Sequence, residues 1–212
     1  MEDSKSYHSI IFDLGGVIID LSYQRTAEAF VKLGLENFDD IYSKAKQSNL
    51  FDDFEKGIMS VDGFRAELKK HLPENTSDLE IDHAWNAMLI DIPVQRVEFL
   101  KRVGEKHRIF LLSNTNRIHV KAFTKMAEDI FGKNNFLSIF EKCYLSCEMG
   151  MRKPDAEIFE KVISDNNLDR TKTLFIDDSK QHVEGALKVG LHAELLNVEK
   201  GEMLEKKYNL ML

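Results

Sequence analysis

A chain of 212 residues is long enough to bury a sizeable core as one domain, with or without a smaller insertion. With 43% hydrophobic residues, 31% charged residues and only three prolines, it lies outside the compositions of disordered chains and disulfide scaffolds. A net charge of −7, with lysines interleaved among acids, argues against a nucleic-acid or anionic-membrane surface, so an anionic ligand has to meet locally positive groups.

The first residues, MEDSKSYH, have neither the basic start nor the apolar run of a secretory leader. No stretch reaches the roughly 18 apolar residues of a membrane helix, and a cytoplasmic protein is expected. A buried strand is predicted at 9–13 (SIIFD), running into an acid and two glycines within IIFDLGGVIID. From 21 to 92 the strand signal vanishes and helical spacing takes over. Ala29, Phe30 and Leu33 precede Gly34, Phe64 and Leu68 precede Leu72, and Ile81, Ala84, Trp85 and Met88 follow a capping box of Ser77 and Glu80. Residues 21–92 therefore read as a helical insertion, a candidate cap, in a core made of 1–20 and 93–212. Pro93 suits the first turn of a helix that turns Val94, Val97, Leu100 and Val103 to one face before Gly104. Further strands are predicted at 108–113 (RIFLLS), 142–146 (KCYLS), 173–177 (TLFID) and 192–196 (HAELL). One helix starts at Pro154, with Ile158, Phe159, Val162 and Ile163 on one face, and another after Ser179, with Val183, Ala186 and Leu187 before Gly190. This alternation predicts an α/β fold with a doubly wound parallel sheet. Cys143 and Cys147, the only cysteines, are expected to be buried and reduced, because two thiols without further ligands make neither a disulfide framework nor a metal site.

Open parallel sheets bind ligands beyond the carboxyl ends of their strands, and four ends here are polar. The first ends in Asp13, the second in Ser113 and Asn114, the third leads through GMRKP to Lys153, and the fourth ends in Asp177 and Asp178. A carboxylate at the mouth of a buried strand is costly unless paired, and three that converge repel one another unless a cation lies among them. This pattern reads as a phosphate site with a metal. Asp13 serves as nucleophile, Asp178 with Asp177 behind it holds Mg2+ against Asp13, and Lys153 adds positive charge. Gly15 and Gly16 let the backbone pass close to a ligand and aim N–H groups at it. Ser113 Oγ and nearby backbone N–H groups, beside Asn114, donate to phosphate oxygens at the start of the next helix.

With FDLGG, LLSNTN, Lys153 and FIDDS as successive motifs, the sequence resembles the haloacid dehalogenase-like superfamily over its whole length. The stretches LSNTNRIH and YLSCEMGMRKPDAEIF resemble bacterial sugar-phosphate phosphatases that act on α-D-glucose 1-phosphate. The resemblance implies a Rossmann-like core with a small helical cap inserted after the first strand, and phosphoryl transfer through an aspartyl-phosphate on Asp13. It also implies Mg2+ held by Asp13, the Gly15 carbonyl and Asp178, and a cap that closes over the substrate and selects it. In the cap this directs attention to residues 51–57 (FDDFEKG), which include Glu55, and to Trp85 and Asn86. Two positions depart from the pattern. Most phosphatases of the superfamily carry a second Asp two residues after the nucleophile, as general acid and base, and here Gly15 stands there. His182 stands where an Asn commonly follows the fourth motif, as a helix-surface residue or as a helper in the metal's outer shell. If another group supplies the missing proton, His182 and Glu55 are the first suspects.

The implied activity is Mg2+-dependent hydrolysis of a small phosphorylated metabolite, with no nucleic acid and no membrane as partner. Two rivals stand beside it. A haloacid dehalogenase also uses an aspartate nucleophile without the second acid, but its chemistry needs no metal and the Asp177–Asp178 pair repels a carboxylate substrate. The other rival is a non-catalytic protein that binds a phosphorylated metabolite, with Gly15 as the mark of lost activity.

Overall fold

The structure, a computed structural model, describes residues 7–35 and 49–209; residues 36–48, part of the expected insertion, lie outside the described residues. In chain order, β1 (Ser9–Phe12) is followed by a two-residue strand β2 (Asp20–Leu21), helices α1 (Tyr23–Lys32), α2 (Leu50–Glu55), α3 (Val61–Lys69) and α4 (Asp78–Asn86), and strand β3 (Leu89–Asp91). Helix α5 (Val94–Gly104) leads to β4 (Arg108–Ser113), α6 (Arg117–Phe131), β5 (Lys142–Leu145), a single turn α7 (Ser146–Met149) and α8 (Ala156–Asn166). The chain closes with β6 (Thr173–Asp177), α9 (Lys180–Lys188), β7 (His192–Leu195) and α10 (Leu204–Lys207).

Five strands form one parallel sheet in the order β5-β4-β1-β6-β7. Both faces of the central strands are covered, which is why they read as continuous apolar runs and not as alternating ones. One face packs Ile10, Phe12, Leu111 and Ile176 against Val97 and Leu100 of α5 and Phe123 of α6. The other packs Ile11, Phe110, Leu112 and Phe175 against Ile158, Phe159 and Val162 of α8 and Ala186 of α9. After β1 the chain crosses to β4 and β5 on one side and later returns to β6 and β7 on the other, so the carboxyl end of β1 lies at the switch point where such sheets open a crevice.

The five predicted core strands are present, each within a residue of the expected ends. One expectation needs correcting: a strand does occur between 21 and 92. Leu89–Asp91 pairs antiparallel with Asp20–Leu21, with a register irregularity between Asp20 and Leu21, and the two strands form a ribbon at the point where the insertion leaves and rejoins the core. So short and half-exposed a pair has no apolar run to betray it, and its stability comes from its neighbours.

Helices α1 to α4 gather around a core of their own, made of Phe30, Leu35, Phe54, Phe64, Leu68, Ile81, Ala84 and Trp85. Ile118, from α6 of the main body, completes that cluster. The capping box at α4 is formed as predicted: Ser77 N donates to Glu80 Oε2 at 2.8 Å, and Glu80 N donates to Ser77 Oγ at 3.3 Å. Cys147 is buried, Cys143 is half-buried, and both are free thiols. Among the described residues no helix is long and apolar enough to cross a membrane.

Candidate active site

The carboxyl ends of β1 and β6 lie side by side, because Phe12 pairs with Ile176 and Asp13 N donates to Ile176 O at 2.9 Å. This brings Asp13 and Asp177 together, and Asp13, Asp177 and Asp178 each place a carboxylate oxygen within 4.8 Å of the others. Lys153 enters from below and is wholly buried. Its ammonium donates to Asp13 Oδ1 at 2.6 Å, Asp177 Oδ2 at 2.7 Å and Leu112 O at 2.9 Å, so all three of its donors are spent inside the protein. Lys153 thus holds the Asp13 carboxylate and touches no open surface.

Burial pushes the Asp13 carboxyl up to about 7, with Lys153 opposing and the charges of Asp177 and Asp178 adding to the rise. Burial and the neighbouring Asp177 also push Asp178 up, to about 6. For Asp177 burial works in the same direction, but Lys153 and His182 win and hold it down at about 2. Burial favours loss of the Lys153 proton, yet Asp13 and Asp177 keep its pKa above the ordinary lysine value. Two carboxyls raised by burial and by their neighbours' charge, with oxygen donors only, suit a hard dication. Asp177 contributes differently from Asp178: besides Lys153, it accepts from Ser179 N at 2.7 Å and lies 3.0 Å from His182 Nδ1. His182 is therefore neither a free surface group nor aimed at a ligand through that nitrogen; it braces Asp177.

The two glycines differ in what they do. Gly16 N donates to Ile19 O at 2.8 Å, closing the turn on itself. What Gly16 supplies is a positive φ of 75° and the absence of a side chain, since a Cβ there would collide with the Asp178 carboxylate. Gly15 lines the cavity, where a Cβ would press on Leu21 Cδ1 at 2.7 Å.

Each residue after β4 has a distinct task. Ser113 is buried and lines the cavity. The Asn114 amide clasps the Lys153 backbone, donating to its carbonyl and accepting from its N–H, both at 2.9 Å. Asn114 thus positions Lys153 while bordering the cavity. Asn116 caps α6 by accepting from Ile118 N at 3.1 Å and His119 N at 3.0 Å.

Residues of α1, α2 and α4 face this edge. A cavity of about 100 Å³ lies between Gly15, Ser113, Asn114 and Thr115 below and Tyr23, Phe51, Glu55 and Trp85 above. The Trp85 indole stacks on Phe51, at 5.5 Å between ring centres, and on His119, at 5.3 Å, both nearly parallel to it. Its Nε1–H is buried with no hydrogen-bond partner among the described residues. The Trp85 carbonyl accepts from Thr26 Oγ1 at 3.2 Å and His119 Nε2 at 3.1 Å, fastening α4 to both α1 and α6. His119 Nδ1 lies 3.0 Å from Asn116 Nδ2, and an acceptor at Nδ1 with a donor at Nε2 fixes a neutral ring. Burial agrees, lowering the His119 pKa to about 4.

Arg152, next to Lys153, reaches the other way, to Asp52 Oδ1 at 2.7 Å and Glu55 Oε2 at 2.9 Å. Ser146 Oγ donates to Glu55 O at 2.7 Å and accepts from Thr115 N at 2.9 Å. Sequence reading did not single out Arg152, Ser146, Asn116 or His119. All four lie inside or beside the stretches quoted above; Arg152, Ser146 and His119 have partners far away in the chain, whereas Asn116 bonds the helix turn that it caps.

The haloacid dehalogenase-like hydrolase profile matches residues 7–190. The chain belongs to that family of hydrolases. This haloacid dehalogenase-like hydrolase is 30% identical over 184 residues, 86% of its own length and 88% of the relative's, to D-ribitol-5-phosphate phosphatase of Bacteroides thetaiotaomicron. Its fold matches the crystal structure of a HAD family enzyme from the same bacterium with a TM-score of 0.87 at 36% identity, over 96% of this chain and 99% of that one. A wild-type complex of that enzyme with magnesium and inorganic phosphate matches with a TM-score of 0.82 at 37% identity, over 90% and 94% of the two chains. Magnesium is thus the cation that such structures carry, and the three-aspartate cluster offers this hydrolase's oxygens to it.

Proposed function

We propose that this hydrolase is a Mg2+-dependent phosphatase of small phosphomonoesters, sugar or polyol phosphates foremost, that works through a phosphate carried on Asp13. The observation that carries the reading is the meeting of Asp13, Asp178 and Asp177 at the sheet's switch point, over a lysine that faces only inward. Asp13 and Asp178, with the Gly15 carbonyl, would hold the metal, which when bound supplies positive charge against phosphate oxygens. Asp177 shares the cluster but serves mainly to brace it, since both of its oxygens already accept hydrogen bonds. Lys153 keeps Asp13 ionised and aimed, and Ser113 Oγ donates to a phosphate oxygen. A bare acidic cluster of this kind disfavours the carboxylate substrates of a dehalogenase.

Residues 21–92 act in this reading as the cap that selects the leaving group, over a core of 1–20 and 93–212. Trp85 Nε1 offers a donor to a substrate hydroxyl. The similarity to a D-ribitol-5-phosphate phosphatase favours an open-chain polyol phosphate ahead of α-D-glucose 1-phosphate. The test is phosphate release from a panel of both classes, with and without chelator, in wild type and Asp178→Ala. Chelator is expected to stop turnover, and Asp178→Ala to lose it at ordinary Mg2+ and recover part of it at high Mg2+. An unchanged Mg2+ dependence in the variant would place the metal elsewhere, and phosphate binding without release would support the binding-protein reading.

A further inference from the structure

On the phosphatase reading above, the site lacks a visible source for one proton. An alkyl leaving group needs protonation as its bond to phosphorus breaks, and Gly15 has nothing to give. The cavity wall narrows the choice among the described residues. Its proton-exchanging side chains are Tyr23, Glu55 and His119. His119 has both ring nitrogens engaged, by Asn116 and by the Trp85 carbonyl. Tyr23 is 66% exposed, so water competes with any leaving group for its proton. Outside that wall, Lys153 has spent its donors, and His182 spends Nδ1 on Asp177.

Glu55 is left, and three contacts seat it. Arg152 pairs with Glu55 Oε2 and with Asp52, Ser146 Oγ holds the Glu55 carbonyl, and Gly57 lies so close to the Cys147 carbonyl that a Cβ there would collide with it. The turn that delivers Lys153 to Asp13 therefore delivers its neighbour Arg152 to Glu55, so the two carboxyls are placed by one piece of backbone. Burial raises the Glu55 pKa against the opposing charge of Arg152, which brings its protonated form closer to neutral pH.

We propose that Glu55 is the general acid and base of this enzyme, supplied by the insertion in place of the side chain absent at Gly15. As the Asp13 carboxylate bonds to phosphorus and the ester P–O bond breaks, the Glu55 proton passes to the leaving oxygen and the alcohol departs. Glu55, now a carboxylate, takes a proton from the water that attacks the aspartyl-phosphate; the Asp13–phosphorus linkage breaks, phosphate leaves, and both carboxyls return to their starting states.

The experiment compares single-turnover rates on a polyol phosphate and on nitrophenyl phosphate, whose leaving group needs no proton. Glu55→Gln keeps a partner for Arg152. It is expected to slow the first turnover of the polyol phosphate about 10²–10⁴-fold and that of nitrophenyl phosphate less than about tenfold. Phosphate on Asp13 should then accumulate in the acid-quenched variant fed with nitrophenyl phosphate. Equal losses on the two substrates, or a loss below about tenfold on the polyol phosphate, would overturn the assignment. Asp52→Asn loosens the same arginine while keeping the Glu55 carboxyl, and the ratio of the two rates is expected to stay within about threefold of wild type. A ratio shifted as far as in Glu55→Gln would assign the effect to the arginine clamp and also overturn the proposal. Wild-type protein that releases phosphate from neither substrate would instead remove the phosphatase reading beneath it.

Discussion

At the sheet edge every donor of Lys153 has its acceptor, and Asp177 is held from three sides. Across the cavity, in the insertion, the indole N–H of Trp85 is buried without a partner among the described residues. The first wall is saturated from within, and such a network rigidifies whatever it touches. The second leaves a polar group free to donate to whatever enters the cavity. The proposed function uses this difference, with transfer chemistry on the core and recognition of the leaving group on the insertion.

The sharpest way to break this division is Asp13→Asn, which keeps the shape of the nucleophile and removes its charge. Turnover on every substrate is expected to fall by about 10⁴-fold or more while the thermal unfolding transition persists, and retained phosphate release would end the nucleophile assignment. Lys153→Ala probes the same wall through stability. It strands two buried carboxylates, so denaturant unfolding should register a loss of about 3–5 kcal/mol, along with reduced activity. A loss below about 1 kcal/mol would show that the network is not saturated from within.

His119 tests the seam between the walls. Its folded pKa of about 4 lies below its ordinary 6.5, so between those values the unfolded chain binds the extra proton. Stability is complete above about 6.5 and falls as pH drops towards 4, by on the order of 3 kcal/mol from this group. Unfolding free energies at several pH values should show a shallower slope in His119→Gln than in wild type; parallel slopes would mean that the ring is not held neutral. The smallest effect belongs to Trp85→Phe, which keeps the aromatic stacking and deletes the N–H. It should raise KM for a polyol phosphate about three- to tenfold and leave nitrophenyl phosphate unaffected, as one lost hydrogen bond implies. Equal changes on both substrates would take recognition away from the indole.

Sequence alone carried the core far. Strands buried on both faces leave continuous apolar runs, and the polar residues that end them, Asp13, Ser113, Asp177 and Asp178, mark the site because such residues are costly there without a purpose. The β2–β3 ribbon was illegible because a few half-exposed residues have no periodicity to read. The internal partners of Lys153 and Gly16 were illegible for another reason. Residue type shows what a group can donate, whereas only coordinates show that the Lys153 donors are already taken and that the Gly16 N–H closes its own turn. Arg152 and His119 escaped notice because each gains meaning from a partner in the insertion, 97 to 100 and 34 positions away respectively.

The place of Ile118 within the hydrophobic cluster of the insertion has a consequence for engineering. Residues 21–92 look like a module that could be exchanged between relatives to transplant substrate preference. Yet the first turn of α6 donates Ile118 to that module's interior and His119 to its tryptophan, and the same turn begins four residues after the cavity-lining Ser113. A chimera cut at the ribbon alone would arrive with a hole where Ile118 should fit and a foreign face against His119. Grafts that carry 116–119 along with the insertion should fold and keep the donor's preference, because the natural joint runs through the helix and not through the linkers.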